Sequence, residues 1–209
     1  MLNILSTFRD GMGVNLIPKM DGYKISKENF RLKKENGDGS VDLACVDKGT
    51  HRVLRFNLRT RNIGDKDLII GNPKDRPDIF EHSDVFDTHF QFKRPPFFVY
   101  TLRNADSSVK KLGYKIPYCF DALQPMSCYN QGIAAGGGED TYEADMPCQF
   151  VVIDDLIDGK YFLDATVNAP SVDAIKYGKG KVIFEEDNYD DNTLTVCLQI
   201  KGDEVKEIT

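Results

Sequence analysis

Arg52-Val53-Leu54-Arg55-Phe56-Asn57-Leu58-Arg59 decides the fold. Leu54, Phe56 and Leu58 alternate with Arg55, Asn57 and Arg59, the period-two pattern of a strand with one face in a core and the other in water. The pattern returns in Lys160–Asn168, where Tyr161, Leu163, Ala165 and Val167 alternate with Phe162, Asp164 and Thr166. It returns again where Leu194, Val196, Leu198 and Ile200 alternate with Thr195, Cys197, Gln199 and Lys201. Phe97–Leu102 and Gln149–Ile153 are more continuously apolar, which predicts strands buried on both faces. Val41–Val46 and Lys181–Phe184 read as two further short strands.

No window of a dozen residues carries a helical stripe. Short strands with Gly, Pro, Asn and Asp between them predict an all-β protein, a β-sandwich with long loops and little helix. Residues 1–40 lack a strong period and read as an extended amino-terminal arm with one short strand, ahead of a sandwich domain at 41–209. Such an arm is expected to lie on the core or on a partner. The intervals 64–96 and 103–147 are long for plain connections, and long loops on a β scaffold are where function is usually placed.

Composition narrows the function classes. The 209 residues suffice for one full domain. The net charge of −6 argues against a nucleic-acid partner, which calls for a clustered basic face. No apolar run approaches the ~18 residues of a membrane span. Met1–Phe8 has no basic flank and does not read as a secretory signal, which leaves the compartment open. The five cysteines include no C-x-x-C pair. No Ser, Cys or Thr has a recognisable base nearby, and Ala134–Gly138 is a flexible loop with no helix to make it a phosphate cradle.

Two blocks carry the chemistry. The first is Gly113-Tyr114-Lys115-Ile116-Pro117-Tyr118-Cys119-Phe120-Asp121, and the second is Asp140-Thr141-Tyr142-Glu143-Ala144-Asp145 followed by Cys148-Gln149-Phe150. With His51–Phe56, Asn62-Ile63-Gly64, Asp158–Tyr161 and Val167-Asn168, they resemble, in order, segments of the lysyl oxidase catalytic domain. The resemblance runs from Cys45 to Cys197, with a weaker echo at Asn15–Pro18. It implies a lysyl-oxidase-like β-sandwich in which Lys115 and Tyr142 are the precursor pair of a lysine tyrosylquinone formed with copper. It also implies the disulfides Cys45–Cys148 and Cys119–Cys128, leaving Cys197 unpaired.

The copper run departs from the family. Alternate residues of a strand share a face, so an H-x-H-x-H run gathers three imidazoles around one ion. Here the corresponding run is Asp87-Thr88-His89-Phe90-Gln91, with one histidine flanked by a carboxylate and an amide. His82 supplies a second imidazole only where the intervening loop folds back. The resemblance further implies a structural calcium held by Glu186, Asn188, Asp191 and Asn192, joined by Asn15 and the Leu16 carbonyl.

Two readings follow. In the first, the chain is a non-catalytic structural or interaction protein with calcium as its one candidate cofactor. It docks on protein partners through its arm, its long loops and the aromatic groups Phe90, Phe92, Phe97 and Phe98, in a larger assembly such as a virus particle or another intracellular assembly. In the second, it is a copper- and quinone-dependent amine oxidase with a rearranged metal site of Asp87, His82 and His89, with Asp145 or Asp121 as base. Family analogy then implies an extracellular setting.

Overall fold

A computed structural model of the chain describes residues 13–30, 46–82, 90–92, 97–115, 121–122, 130–146, 148–169 and 183–209. The described elements are strands, with one 3₁₀ turn at Pro73–Asp75. In order they are β1 (Leu16–Phe30), β2 (Gly49–Asn62), β3 (Leu68–Gly71), β4 (Phe80–His82), β5 (Phe90–Phe92), β6 (Phe98–Arg103) and β7 (Lys110–Lys115). There follow β8 (Asp121–Ala122), β9 (Gln131–Ile133), β10 (Gly138–Tyr142), β11 (Phe150–Val152), β12 (Gly159–Val167), β13 (Thr193–Lys201) and β14 (Glu204–Glu207). Among the described residues no helix is long and apolar enough to cross a membrane.

The predicted all-β fold is therefore observed. One sheet is built on β2, which pairs with β1 along one edge and with β10 and β11 along the other. The second sheet runs β14-β13-β12-β6-β7. Leu54, Phe56 and Leu58 of β2 meet Tyr100, Leu102, Leu163, Ala165 and Leu198 in one fully buried cluster between them. Tyr100 sits edge-on against Phe56, with ring centroids 4.9 Å apart, and its hydroxyl donates to Gln149 Oε1 at 3.2 Å. A smaller sheet, β3-β9-β8, and the hairpin β4-β5 extend this framework.

Four expectations need correction. The arm expected over residues 1–40 carries a 15-residue strand, not a short one. Its polar residues face solvent while Leu16, Met20 and Phe30 are buried, and β2 supplies its backbone partners from Leu16↔Asn62 to Phe30↔Gly49. Phe97 and Phe98 are not docking groups, because both are fully buried. They pack edge-on at 4.7 Å, and Phe97 also meets Phe184. Finally, β6 is buried on one face, with Val99, Thr101 and Arg103 half-exposed, and residues 183–184 form bends where a strand was expected. Val41–Cys45 and the side chains of Phe90 and Phe92 lie outside the described residues.

Polar groups close the places where the backbone ladder breaks. The loop 143–149 leaves the β2 edge between β10 and β11, opposite Phe56 and Asn57. There Asn57 Oδ1 accepts from Ala144 N at 2.8 Å, and Gln149 Nε2 donates to Phe56 O at 3.3 Å. Arg55 completes the closure. Its guanidinium makes a forked bond to Glu28 at 2.6 and 2.7 Å and donates to the carbonyls of Ala144 and Met146 at 2.8 and 3.1 Å. It also lies 5.0 Å over the Phe150 ring.

At the other end of β2, His51 Nδ1 is 2.6 Å from Asp154 Oδ2, and its Nε2 is 3.0 Å from the Asp47 carbonyl. The second oxygen of Asp154 accepts from Arg52 N at 2.6 Å. The Asp154 hydrogen bond, helped by the Asp47 carbonyl, raises the His51 pKa above the ordinary histidine value.

Two outcomes are expected. Arg55→Met removes a buried guanidinium that donates to two loop carbonyls and should cost about 3 kcal/mol in denaturant unfolding, since breaking a buried, hydrogen-bonded pair is costly; a loss under about 1 kcal/mol would refute the clamp. His51 is protonated more readily folded than unfolded, so its contribution is full below the ordinary histidine pKa and fades as pH rises through the raised value. Between about pH 6 and about pH 8 the wild type should therefore lose more thermal stability than Asp154→Asn; parallel melting curves would show that the pair does nothing.

Candidate functional site

The two chemical blocks meet at the core. Lys115 is the last residue of β7 and stands directly across from Phe98 in the register of β6 and β7. The Phe98 ring packs against Tyr142 at 5.8 Å, tilted by 72°. Tyr142 itself points inward from β10, is 3% exposed and pairs with Leu58 of β2. The approach of the blocks depends on Gly113. A Cβ there would lie 2.6 Å from the Phe150 carbonyl oxygen and 3.1 Å from Val151, so only a hydrogen fits between β7 and β11. Of the two aspartates expected as bases, Asp121 begins β8, and Asp145 lies in the turn after Tyr142.

The copper run is partly described. Gln91 lies in β5, while Asp87 and His89 lie outside the described residues. The chain does fold back as a second imidazole requires, because β4 and β5 pair antiparallel with His82 opposite Phe90 and Glu81 opposite Gln91. The supply of imidazole is the limit. The chain has three histidines, and His51 has both ring nitrogens engaged, by Asp154 and the Asp47 carbonyl. Two imidazoles remain for a site that needs three, so this donor set does not fit the copper centre that the resemblance implies.

The calcium residues converge more closely. Glu186 lies in the loop before β13, and its Oε2 accepts from Leu16 N at 2.6 Å, at the start of β1. Its Oε1 accepts from Asn168 Nδ2 at 2.6 Å and Asn192 Nδ2 at 2.8 Å. Asn15 Nδ2 donates to Asp191 Oδ2 at 3.1 Å. These bonds commit the amide nitrogens and one oxygen of Asp191, and leave Asn15 Oδ1, Asp191 Oδ1 and Asn192 Oδ1 buried without a hydrogen-bond partner. Burial raises the Glu186 pKa, with the Asp191 charge adding to it, against the three hydrogen bonds that favour the carboxylate.

Three buried oxygen acceptors beside a desolvated carboxylate are costly unless a hydrogen-bond donor or a cation meets them. Two carboxylates and two amide oxygens form a hard, oxygen-only set of net charge −2, which suits calcium. Asn188 stands apart from this network, since its Oδ1 accepts from Asp190 N at 3.1 Å in a local turn. Among the described residues no group of three or more His, Cys, Asp or Glu forms a metal cluster; the Glu186 pocket draws half its donors from amides instead.

Of the cysteines, Cys197 is free and half-buried on β13. Cys148 is a half-cystine whose partner lies outside the described residues, as do Cys45, Cys119 and Cys128. Val46, next to Cys45, joins the cluster of Phe30, Val53 and Phe150, two residues beyond Cys148.

Asn168 and Arg55 were not singled out by sequence reasoning. Neither had a signal of its own: Asn168 falls in phase with Asp164 and Thr166, and Arg55 with Asn57 and Arg59, the positions the alternation assigns to solvent, yet both are buried.

The lysyl oxidase family model matches residues 19–205. Protein-lysine 6-oxidase of Gallus gallus is 29% identical over 196 residues, covering 78% of this chain and 44% of that protein. Protein-lysine 6-oxidase of Rattus norvegicus is 29% identical over 172 residues, covering 69% of this chain and 37% of that protein. Lysyl oxidase homolog 2 of Xenopus tropicalis is 29% identical over 141 residues, covering 62% of this chain and 17% of that protein. The chain thus spans less than half the length of each of these relatives. With the family model matched from β1 to β14, the chain belongs to the lysyl oxidase family.

Proposed function

We propose that the chain is a non-catalytic member of its family, a structural protein that docks on protein partners in a larger assembly, a virus particle being one such setting. The observation that carries this reading is the commitment of His51 to Asp154 and Asp47, which leaves two imidazoles in the whole chain for a three-imidazole copper site. Lys115 and Tyr142 then remain ordinary side chains. In support, Tyr142 has a packing role that needs no oxidation, against Phe98 in the core. The partner is expected on the long loops, since Phe97 and Phe98 are buried.

Calcium is the metal of this reading, bound by Glu186, Asp191, Asn192 and Asn15. The three unpartnered buried oxygens support it. Cys45–Cys148 is its first disulfide, supported by the shared cluster beside Val46 and Phe150, and Cys119–Cys128 its second.

The alternative is an amine oxidase with a rearranged metal site. The edge-on contact of Tyr142 with Phe98, the residue directly across from Lys115, favours it.

Metal content and intact mass separate the two readings. The expected mass differs from that of the sequence only by the hydrogens lost to disulfides, the Lys115 and Tyr142 peptides map separately, and amines release no peroxide. Stoichiometric copper with a joined Lys115–Tyr142 peptide would reverse the conclusion.

For calcium, a site with this few charges should bind with a Kd on the order of 10⁻⁴ M. In about 10 mM calcium, roughly a hundredfold excess over that constant, stabilisation is about 2.7 kcal/mol. The melting temperature should rise by roughly 5–10 °C and fall back on chelation. An unchanged melting curve would remove calcium from the account.

A further inference from the structure

Glu186 is held in place by residues outside the ligand set. Asn168 follows β12 in a left-handed conformation, φ 46°, and is fully buried. Its Oδ1 accepts from Ile183 N and Phe184 N at 3.0 and 3.1 Å, and its Nδ2 donates to Phe184 O at 2.7 Å and to Glu186 Oε1 at 2.6 Å. One amide thus anchors both the backbone leading into Glu186 and the carboxylate itself. Tyr189, three residues further on, acts on the other side. Its hydroxyl accepts from Glu186 N at 2.8 Å and donates to Phe184 O at 3.4 Å.

We propose that Asn168 and Tyr189 are the positioning residues of the calcium site, fixing the Glu186 carboxylate and backbone before the ion arrives; this rests on the calcium reading above. The residue types follow from the geometry. A position at φ 46° admits Gly or Asn with least strain, and of these only Asn carries an amide. An aspartate there could accept the two backbone N–H bonds but could not donate to Glu186. Because Glu186 Oε1 takes two amide donors, its plane is set, and Oε2 stays beside Leu16 N at the start of β1. The pocket therefore joins the first strand to the loop ahead of β13 through one oriented carboxylate. Partners that orient a ligand typically matter 10–100-fold in metal affinity.

The test is calcium titration calorimetry on the full chain, at a temperature where all forms are folded. Asn168→Gly keeps the left-handed backbone and removes the amide; Tyr189→Phe keeps the ring and removes the hydroxyl. Asn168→Gly should weaken calcium binding by about 10-fold or more, and Tyr189→Phe should weaken it in the same direction. Where Asn168→Gly fails to fold, Tyr189→Phe decides alone. Unchanged constants in the folded variants, beside normal wild-type binding, would overturn the positioning role and leave the calcium site standing. Absence of calcium heat in the wild type would overturn the site and the positioning role together.

Discussion

One strand hydrogen-bonds on both edges for most of its length, and the rest of the molecule is arranged around that constraint. β2 gives one edge to β1 and divides the other between β10 and β11. A single continuous partner would have left no exit for the loop 143–149. The division makes that exit and leaves polar backbone groups on both sides of it near the core. Asn57, Gln149 and Arg55 meet those groups with side-chain bonds. The break in the ladder, and its repair, follow directly after Tyr142, the last residue of β10 paired with β2.

A similar economy governs the second sheet. β7 lies at its edge, yet it runs against β11 of the first sheet because Gly113 has no side chain to hold the two apart. The pairing of β7 with β6 sets Lys115 across from Phe98, and Phe98 packs against Tyr142. Residues about thirty positions apart in the chain are thereby joined through one aromatic ring. The buried carboxylate of Glu186 ties the start of β1 to the loop before β13. The sandwich is closed at one place by packing and at another by a buried polar network.

The strands that alternate strictly were legible, because burial on one face imposes the period directly. β2, β12 and β13 are the clear cases, all three with the expected inward residues. β1 was not, since Lys, Asn and Gly dominate its outer face and a register shift between Asp21 and Lys24 interrupts the pattern. β10 was hidden for another reason: Gly-Glu-Asp-Thr-Tyr has poor strand propensity, and pairing with β2 overrides it. Phe97 and Phe98 misled because an apolar pair next to a proline pair suits a surface loop as well as a core. The residues of the proposed calcium site were visible only through the family resemblance. What sequence could not convey is that the Asn15 and Asn192 amide nitrogens are committed to Asp191 and Glu186, while the side-chain oxygens Asn15 Oδ1, Asp191 Oδ1 and Asn192 Oδ1 are buried without a hydrogen-bond partner.

The coexistence of an intact precursor pair with a depleted histidine run has a physical explanation. Tyr142 is 3% exposed and packs edge-on against Phe98, and its neighbour across the sheet is Leu58. Burying a side chain of that size contributes on the order of 2 kcal/mol, whatever its later chemistry. Truncating it would open a cavity at the junction of both sheets, with a further cost. A histidine kept only to hold a metal has no such packing to retain it once the ion is lost. A domain released from copper chemistry would therefore keep its tyrosine for packing and lose its imidazoles first. Tyr142 in this chain is evidence of a shared core, and the imidazoles are what decide the reaction.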